Sequence, residues 1–265
     1  MPFRRKRPKV FYMHVAKAGG TSVNSFFRKR LGKRRCLNHI EGKRLDPGEV
    51  RRRFDFVSGH MRIRQIYPLL GLDDWYRITV FRDPLQHIVS HLRWVQGIAS
   101  DPGAAFFKSH TPEVQELALQ LREVDIGDAR AMWDFFANLP PEGFTLFDNC
   151  QSRYLLSDPP SGKLGSRHWP EAQEGLSLFH RIGLTSDLQG FIDRVAGDLQ
   201  LRSIAKMPRE NVQQGPKPEM SQEVLEVLAP YLEFDRRLVA CVEGRTTSGE
   251  GHGASRAGFE NLGSQ

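Results

Sequence analysis

A lysine, two glycines and two hydroxyl residues, Lys17-Ala-Gly-Gly-Thr-Ser22, follow the apolar run Val10 to Val15. Beyond them Val23, Phe26, Phe27 and Leu31 recur at helical spacing up to a stop at Gly32. The chemistry that fits this strand-turn-helix is anion binding. Glycines in such a turn let backbone N–H groups approach a phosphate closely, and the helix N-terminus adds about half a positive charge. Lys17 supplies a full charge, Ala18, Gly19 and Gly20 supply backbone, and Thr21 and Ser22 supply hydroxyl donors. A second constellation is Phe81-Arg-Asp-Pro-Leu85 with Ser90 in the helix that follows. Arg82 stands where a strand ends, the ligand-binding edge of an open α/β sheet, and an arginine there can hold a phosphate by two parallel hydrogen bonds. The third is Ser58-Gly59-His60, a histidine at another strand end, suited to take a proton near neutral pH.

A Walker A loop places its lysine directly before Ser or Thr, whereas Lys17 precedes both glycines. A nucleotide kinase using ATP and Mg²⁺, with Thr79 to Asp83 as its Walker B strand, is therefore the alternative. His14 lies in the apolar run and reads as structural. His87 and His91 are four apart on a helix, a spacing that suits zinc, but no glutamate follows His87 and the sequence offers no evident third ligand. No metal is expected.

These groups need a scaffold that brings strand ends together. Phe54 to Ser58, Tyr76 to Phe81 and Phe179 to Thr185 read as further strands. Asp83 and Pro84 open a helix whose apolar face is Leu85, Ile88, Val89, Leu92 and Val95, ending near Gly97. Helical patterns cover Pro112 to Glu123 and Ala129 to Asn138. Ser186 and Gln189 fit a capping box before Leu188, Phe191, Ile192, Val195 and Leu199. Ser221 to Val242 is helical and should kink or split at Pro230. Strands alternating with helices predict an α/β fold, P-loop-like and three-layered, with a mostly parallel central sheet flanked by helices.

The chain has 265 residues, 39% of them apolar, which suits one α/β domain. Residues 1–9 read as a basic flexible arm, 10–243 as the domain, and 244–265, rich in Gly and Ser, as a disordered tail. The net charge of +7 favours anionic partners. Its basic residues run from Arg4 to Lys9, Arg28 to Arg35 and Lys43 to Arg53, flanking the lysine loop in sequence and predicting an electropositive mouth there. No nucleic-acid module is recognisable. Cys36, Cys150 and Cys241 are too few and scattered for a disulfide framework and read as thiols of a reducing compartment. No apolar run reaches membrane-spanning length and no signal peptide is evident, so the expected location is cytoplasmic.

Lys-x-Gly-Gly-Thr-Ser after the first strand, joined to strand-Arg-Asp-Pro-(x)5-Ser, resembles the sulfotransferases that use 3′-phosphoadenosine 5′-phosphosulfate (PAPS). Phe11-x-x-His14-x-x-Lys17 and Ser58-Gly-His60 are similar to the uronosyl and heparan sulfate 2-O-sulfotransferase branch and its bacterial relatives. Asn149-Cys-Gln-Ser-Arg-Tyr-Leu155 and Ile182-Gly-Leu-Thr185 are similar to later segments of that branch. The family usually has Pro and Thr where this chain has Ala16 and Ala18.

The resemblance implies a PAPS-dependent O-sulfotransferase needing no metal. Lys17 to Ser22 would hold the 5′-phosphosulfate, Arg82 with Ser90 the 3′-phosphate, and His60 would act as base. Arg209, Asn211 and Lys217 would lie in a late loop closing over the nucleotide. Arg153 and Arg167 would face the acceptor, a saccharide or other hydroxyl compound, with Trp94 or Trp169 as stacking platforms unless they pack in the core.

Overall fold

In the computed structural model, residues 9–207 and 220–247 are described. Five strands form one sheet: β1 (Lys9–Met13), β2 (Cys36–Leu37), β3 (Phe56–Gly59), β4 (Trp75–Phe81) and β5 (Arg181–Leu184). All are parallel, in the order β2-β3-β1-β4-β5. The helices are α1 (Gly20–Leu31), α2 (Pro47–Arg53), α3 (Ile63–Leu70), α4 (Pro84–Ile98), α5 (Ala105–Lys108), α6 (Pro112–Arg122) and α7 (Ala129–Ala137). They continue with α8 (Pro141–Phe147), α9 (Cys150–Arg153), α10 (Trp169–Gly175), α11 (Leu188–Asp198), α12 (Gln222–Leu228) and α13 (Glu233–Thr247).

The alternation along β1 explains the three layers. Phe11 and Met13 enter one core with Ile63, Ile66 and Leu238, whereas Val10 and Tyr12 enter another with Phe26, Phe27, Phe191 and Ile192. A strand buried on both faces needs helices on both, the arrangement of parallel sheets. A third core joins α4, α6, α7, α8 and α12 beside the sheet.

The chain leaves β1 toward β2 on one side, and leaves β4 toward β5 on the other. Because β1 and β4 are neighbours, a crevice opens between their C-terminal ends, where open α/β sheets bind ligands.

Several elements depart from the sequence-based expectation. Lys9 is not part of a loose arm: it begins β1 and its ammonium donates to the Phe54 carbonyl at 2.6 Å. At the other end α13 runs to Thr247, past the expected boundary at 243. Residues 1–8 and 248–265 lie outside the described residues. The helix after β5 is capped by Asp187, whose carboxylate accepts from the Gly190 N–H at 3.2 Å, not by Ser186. Helix α3 tolerates Pro68 within its last turn. Pro230 does divide the last helical region, through a 3₁₀ turn at Ala229–Tyr231. The three cysteines are free thiols. Among the described residues no helix is long and apolar enough to cross a membrane.

Candidate active site

The C-terminal ends of β1, β3 and β4 open into a cleft of about 1470 Å³. After β1 the chain turns sharply through two left-handed residues, Lys17 (φ 62°) and Gly19 (φ 77°). Glycine adopts that region freely, but lysine is strained there, a cost of order 1–3 kcal/mol that the surrounding structure must hold. Helix α1 starts at Gly20 with no side-chain cap and no acidic residue in its first turn. The Ser22 N–H bonds to the Gly19 carbonyl at 3.1 Å, and the positive end of the helix dipole faces the cleft, where it favours an anion.

Gly20 is required for packing. A methyl group there would lie 1.7 Å from His14 Nε2.

Two cations converge on this turn. Arg82, just past β4, donates from Nη1 to the Lys17 carbonyl at 3.1 Å. Both are half-buried, and burial together with Arg82 lowers the Lys17 pKa. Burial lowers that of Arg82 as well. Lys17 is destabilised by burial and by Arg82, a state that a bound anion would relieve. Lys17 Nζ also stands 6.0 Å from the centre of the Trp94 ring. Ser90 is buried on α4 and lines the same cleft.

Arg82 is aimed by a residue that sequence reasoning did not single out. Gln151, fully buried, accepts from the Arg82 N–H at 2.7 Å and donates to the Arg82 carbonyl at 2.8 Å. Gln151 is itself fixed by a reciprocal cap between two helices. The Asp235 carboxylate accepts from the Gln151 and Ser152 N–H groups at 3.1 and 2.8 Å. In return Asn149 Oδ1 accepts from the Phe234 and Asp235 N–H groups at 2.7 and 3.1 Å. Burial raises the Asp235 carboxyl to about 6, against the pull of these hydrogen bonds.

His60 follows β3 directly. Its Nδ1 lies 2.7 Å from the His14 carbonyl, and because a carbonyl only accepts, Nδ1 carries the proton and Nε2 keeps a lone pair. Burial lowers the His60 pKa, opposed by Glu41, whose carboxylate also accepts from the His60 N–H at 3.0 Å. Glu41 meets His39 Nδ1 at 3.1 Å, and His39 is another left-handed residue, φ 55°. Neither Glu41 nor His39 was anticipated from the sequence. The His14 ring lies tilted 4.0 Å from that of His60, and burial drives its pKa down to about 2, so it is neutral packing as expected. His14, His39 and His60 place ligand atoms within 4.8 Å of one another, and a metal held there would occupy His60.

Other expected site residues are buried, already engaged or away from the cleft. Ala18 is buried in the core and its N–H bonds to the Val15 carbonyl at 3.2 Å, so neither its side chain nor its N–H reaches the cleft. Ser22 is buried within α1 and does not line the cleft, whereas Gly19, Gly20 and Thr21 do. Arg153 does line the cleft, but its guanidinium is not open to an acceptor. Its guanidinium pairs with the buried Asp148 at 2.7 Å and donates to the carbonyls of Asp148, Pro160 and Gly162. Arg167 is exposed and away from the cleft. Trp169 packs between Phe234 and Arg237, the guanidinium carbon being 4.2 Å from its ring centre. Arg209, Asn211 and Lys217 lie outside the described residues.

The basic runs do not form the mouth. None of their described residues lines the cleft. Arg28, Lys29 and Arg30 occupy the last turn of α1, at the far end of the sheet, and Arg35 pairs with Asp55 at 2.6 Å. The cleft is lined by the cations Lys17, Arg62, Arg82 and Arg93, with Arg153 paired to Asp148, against Glu41 as the carboxylate among its described lining residues.

No protein-family model matches this chain, and no curated protein matches it significantly.

Proposed function

We propose that the chain is a PAPS-dependent O-sulfotransferase that moves a sulfuryl group to an acceptor hydroxyl, a saccharide being the class the sequence resemblance implies. The observation that carries this reading is the meeting of Lys17 and Arg82 across the β1/β4 crevice, at an uncapped helix N-terminus. Two cations from two strand ends suit a ligand with two separate anionic groups.

In this reading Lys17 and the first turn of α1 stabilise charge that grows on the leaving 5′-phosphate, an electrostatic task worth several kcal/mol. Arg82, aimed by Gln151, anchors the 3′-phosphate and fixes the nucleotide in line. His60 accepts the hydroxyl proton at Nε2 as the acceptor oxygen bonds to sulfur and the sulfur–phosphate oxygen bond breaks. The His14 carbonyl orients the imidazole, and Glu41 holds the His60 backbone N–H.

The kinase alternative requires a carboxylate to hold Mg²⁺ beside the lysine. Asp83, its candidate, instead caps α4 by accepting from the Gln86 N–H at 2.9 Å.

Calorimetric titration with adenosine 3′,5′-bisphosphate, with ATP and Mg²⁺ as competitor, tests the proposal. Binding of the bisphosphate that is lost in Lys17→Ala and Arg82→Ala supports it. Failure of the bisphosphate to bind, with ATP bound in its place, rejects it.

A further inference from the structure

Behind the lysine loop lies a second cluster that the proposed chemistry does not use. His87 and His91 on α4 and Cys150 at the start of α9 are all buried. One ring nitrogen from each histidine and the Cys150 sulfur lie within 4.8 Å of one another. The sequence showed the histidine pair without a third ligand. The fold brings that ligand in from about sixty residues away, a contact with no local sequence signal.

The protonation pattern is the one metal-binding histidines need. His87 Nε2 lies 2.8 Å from the Ala16 carbonyl and His91 Nδ1 lies 2.9 Å from the Leu146 carbonyl. Carbonyls only accept, so those nitrogens carry the protons and His87 Nδ1 and His91 Nε2 carry lone pairs. A histidine that donates one N–H to a carbonyl and offers the other nitrogen is the usual supported ligand. His91 Nε2 is buried and has no hydrogen-bond partner among the described residues. A bare polar atom so placed is costly unless something occupies the space it faces. His91 and Cys150 line the floor of the cleft, which gives an ion a route of access.

Charge selects the ion. Lys17 already acts on both imidazoles and Arg82 on that of His87, so a divalent ion bound by one thiolate would leave a further buried positive charge among cations. A monovalent soft ion bound by that thiolate leaves none, and thiolate with imidazole suits Cu(I). The geometry points to a trigonal Cu(I) site formed by His87, His91 and Cys150. As the copper–sulfur bond forms, the thiol releases its proton to solvent. His87 holds the carbonyl of Ala16, next to Lys17, and Cys150 precedes Gln151, which holds Arg82. An ion at this point fastens together the supports of both cations.

The test is anaerobic transfer of Cu(I) from a chromogenic chelator to the whole protein, followed by X-ray absorption at the copper edge. One equivalent with one sulfur and two nitrogen neighbours is expected. Cys150→Ala and His91→Phe should lose that equivalent, while His39→Ala and the double variant Cys36→Ser/Cys241→Ser should keep it. A copper environment without sulfur in the unaltered protein overturns the site regardless of how the variants fold. Retention of copper by folded Cys150→Ala, or zinc held more tightly than copper, overturns it too. None of these outcomes depends on PAPS binding.

Discussion

Replacing Gln151 by alanine should separate the support of the anion site from its charge. The side chain makes two hydrogen bonds, both to the backbone of Arg82, at 2.7 and 2.8 Å. Removing it leaves one N–H and one C=O without their partner, each costing about 1–3 kcal/mol. The expected loss of stability is therefore about 2–6 kcal/mol, a fall in melting temperature of roughly 5–20 °C for a chain of this size. Arg82→Ala makes an informative comparison, because Gln151 bonds the backbone and keeps both of its contacts. That variant gives up the Arg82 bond to the Lys17 carbonyl and relieves repulsion with Lys17, so its stability should stay within about 1 kcal/mol of the unaltered protein. Its affinity for adenosine 3′,5′-bisphosphate should fall about 10- to 150-fold, the worth of hydrogen bonds to a charged group. Calorimetry and thermal unfolding on the same preparations read both quantities. Gln151→Ala should lose stability and affinity together, Arg82→Ala affinity alone. If Gln151→Ala melts within a degree or two of the unaltered protein, or Arg82→Ala melts as low as Gln151→Ala, the clamp does not hold the site.

His60→Ala should lower kcat by about 10²–10⁴-fold with bisphosphate affinity intact. Because the neutral imidazole is the active form and burial lowers its pKa from 6.5, the rate should be flat above pH 7 and fall only on the acid side below 6.5. Glu41 raises that pKa, so Glu41→Gln should move the acid limb to lower pH, and an unmoved limb would remove Glu41 from the account. Gly20→Ala sets a methyl group against the His14 ring and should cost about 1–3 kcal/mol in denaturant unfolding, with a lower kcat because His14 carries the carbonyl that orients His60. Arg153→Met strands Asp148, which is wholly buried, and should destabilise by about 3–5 kcal/mol. A raised KM for the acceptor without loss of stability would instead return Arg153 to the acceptor.

What could be read from the sequence was local. The lysine loop lies within one strand-turn-helix unit, and Asp83-Pro84 is a cap followed by a first-turn proline, so residue order alone carries both. The same signature, Asp46-Pro47, opens α2, where Asp46 accepts from the Glu49 N–H at 3.0 Å, but it sits in a basic stretch that reads as a connection. Pro68 hid α3 in the same way, since an interior proline signals a break. Other features depend on partners distant in sequence. Gln151 meets Arg82 across 69 positions. β2 is two residues long and exists as a strand through its pairing with β3. Arg153 has the residue type of a ligand, and the groups that consume it, the Asp148 carboxylate and the carbonyls of Asp148, Pro160 and Gly162, carry no sequence signal. Charge runs misled for a simpler reason: α1 carries its basic last turn away from the loop at its other end.

The reciprocal cap between Asn149 and Asp235 also bears on how the molecule comes into being. A ribosome delivers β1, the lysine loop and β4 early, and these can pair as soon as they emerge. Asp235, which fixes Gln151, emerges 84 residues after it, when all five strands have been made. Until α13 docks, the nascent chain has its first cation in place and its second unheld. On the proposed reading, a chain cut before α13 would have most of its sheet built yet lack the clamp on Arg82, and should not bind the bisphosphate.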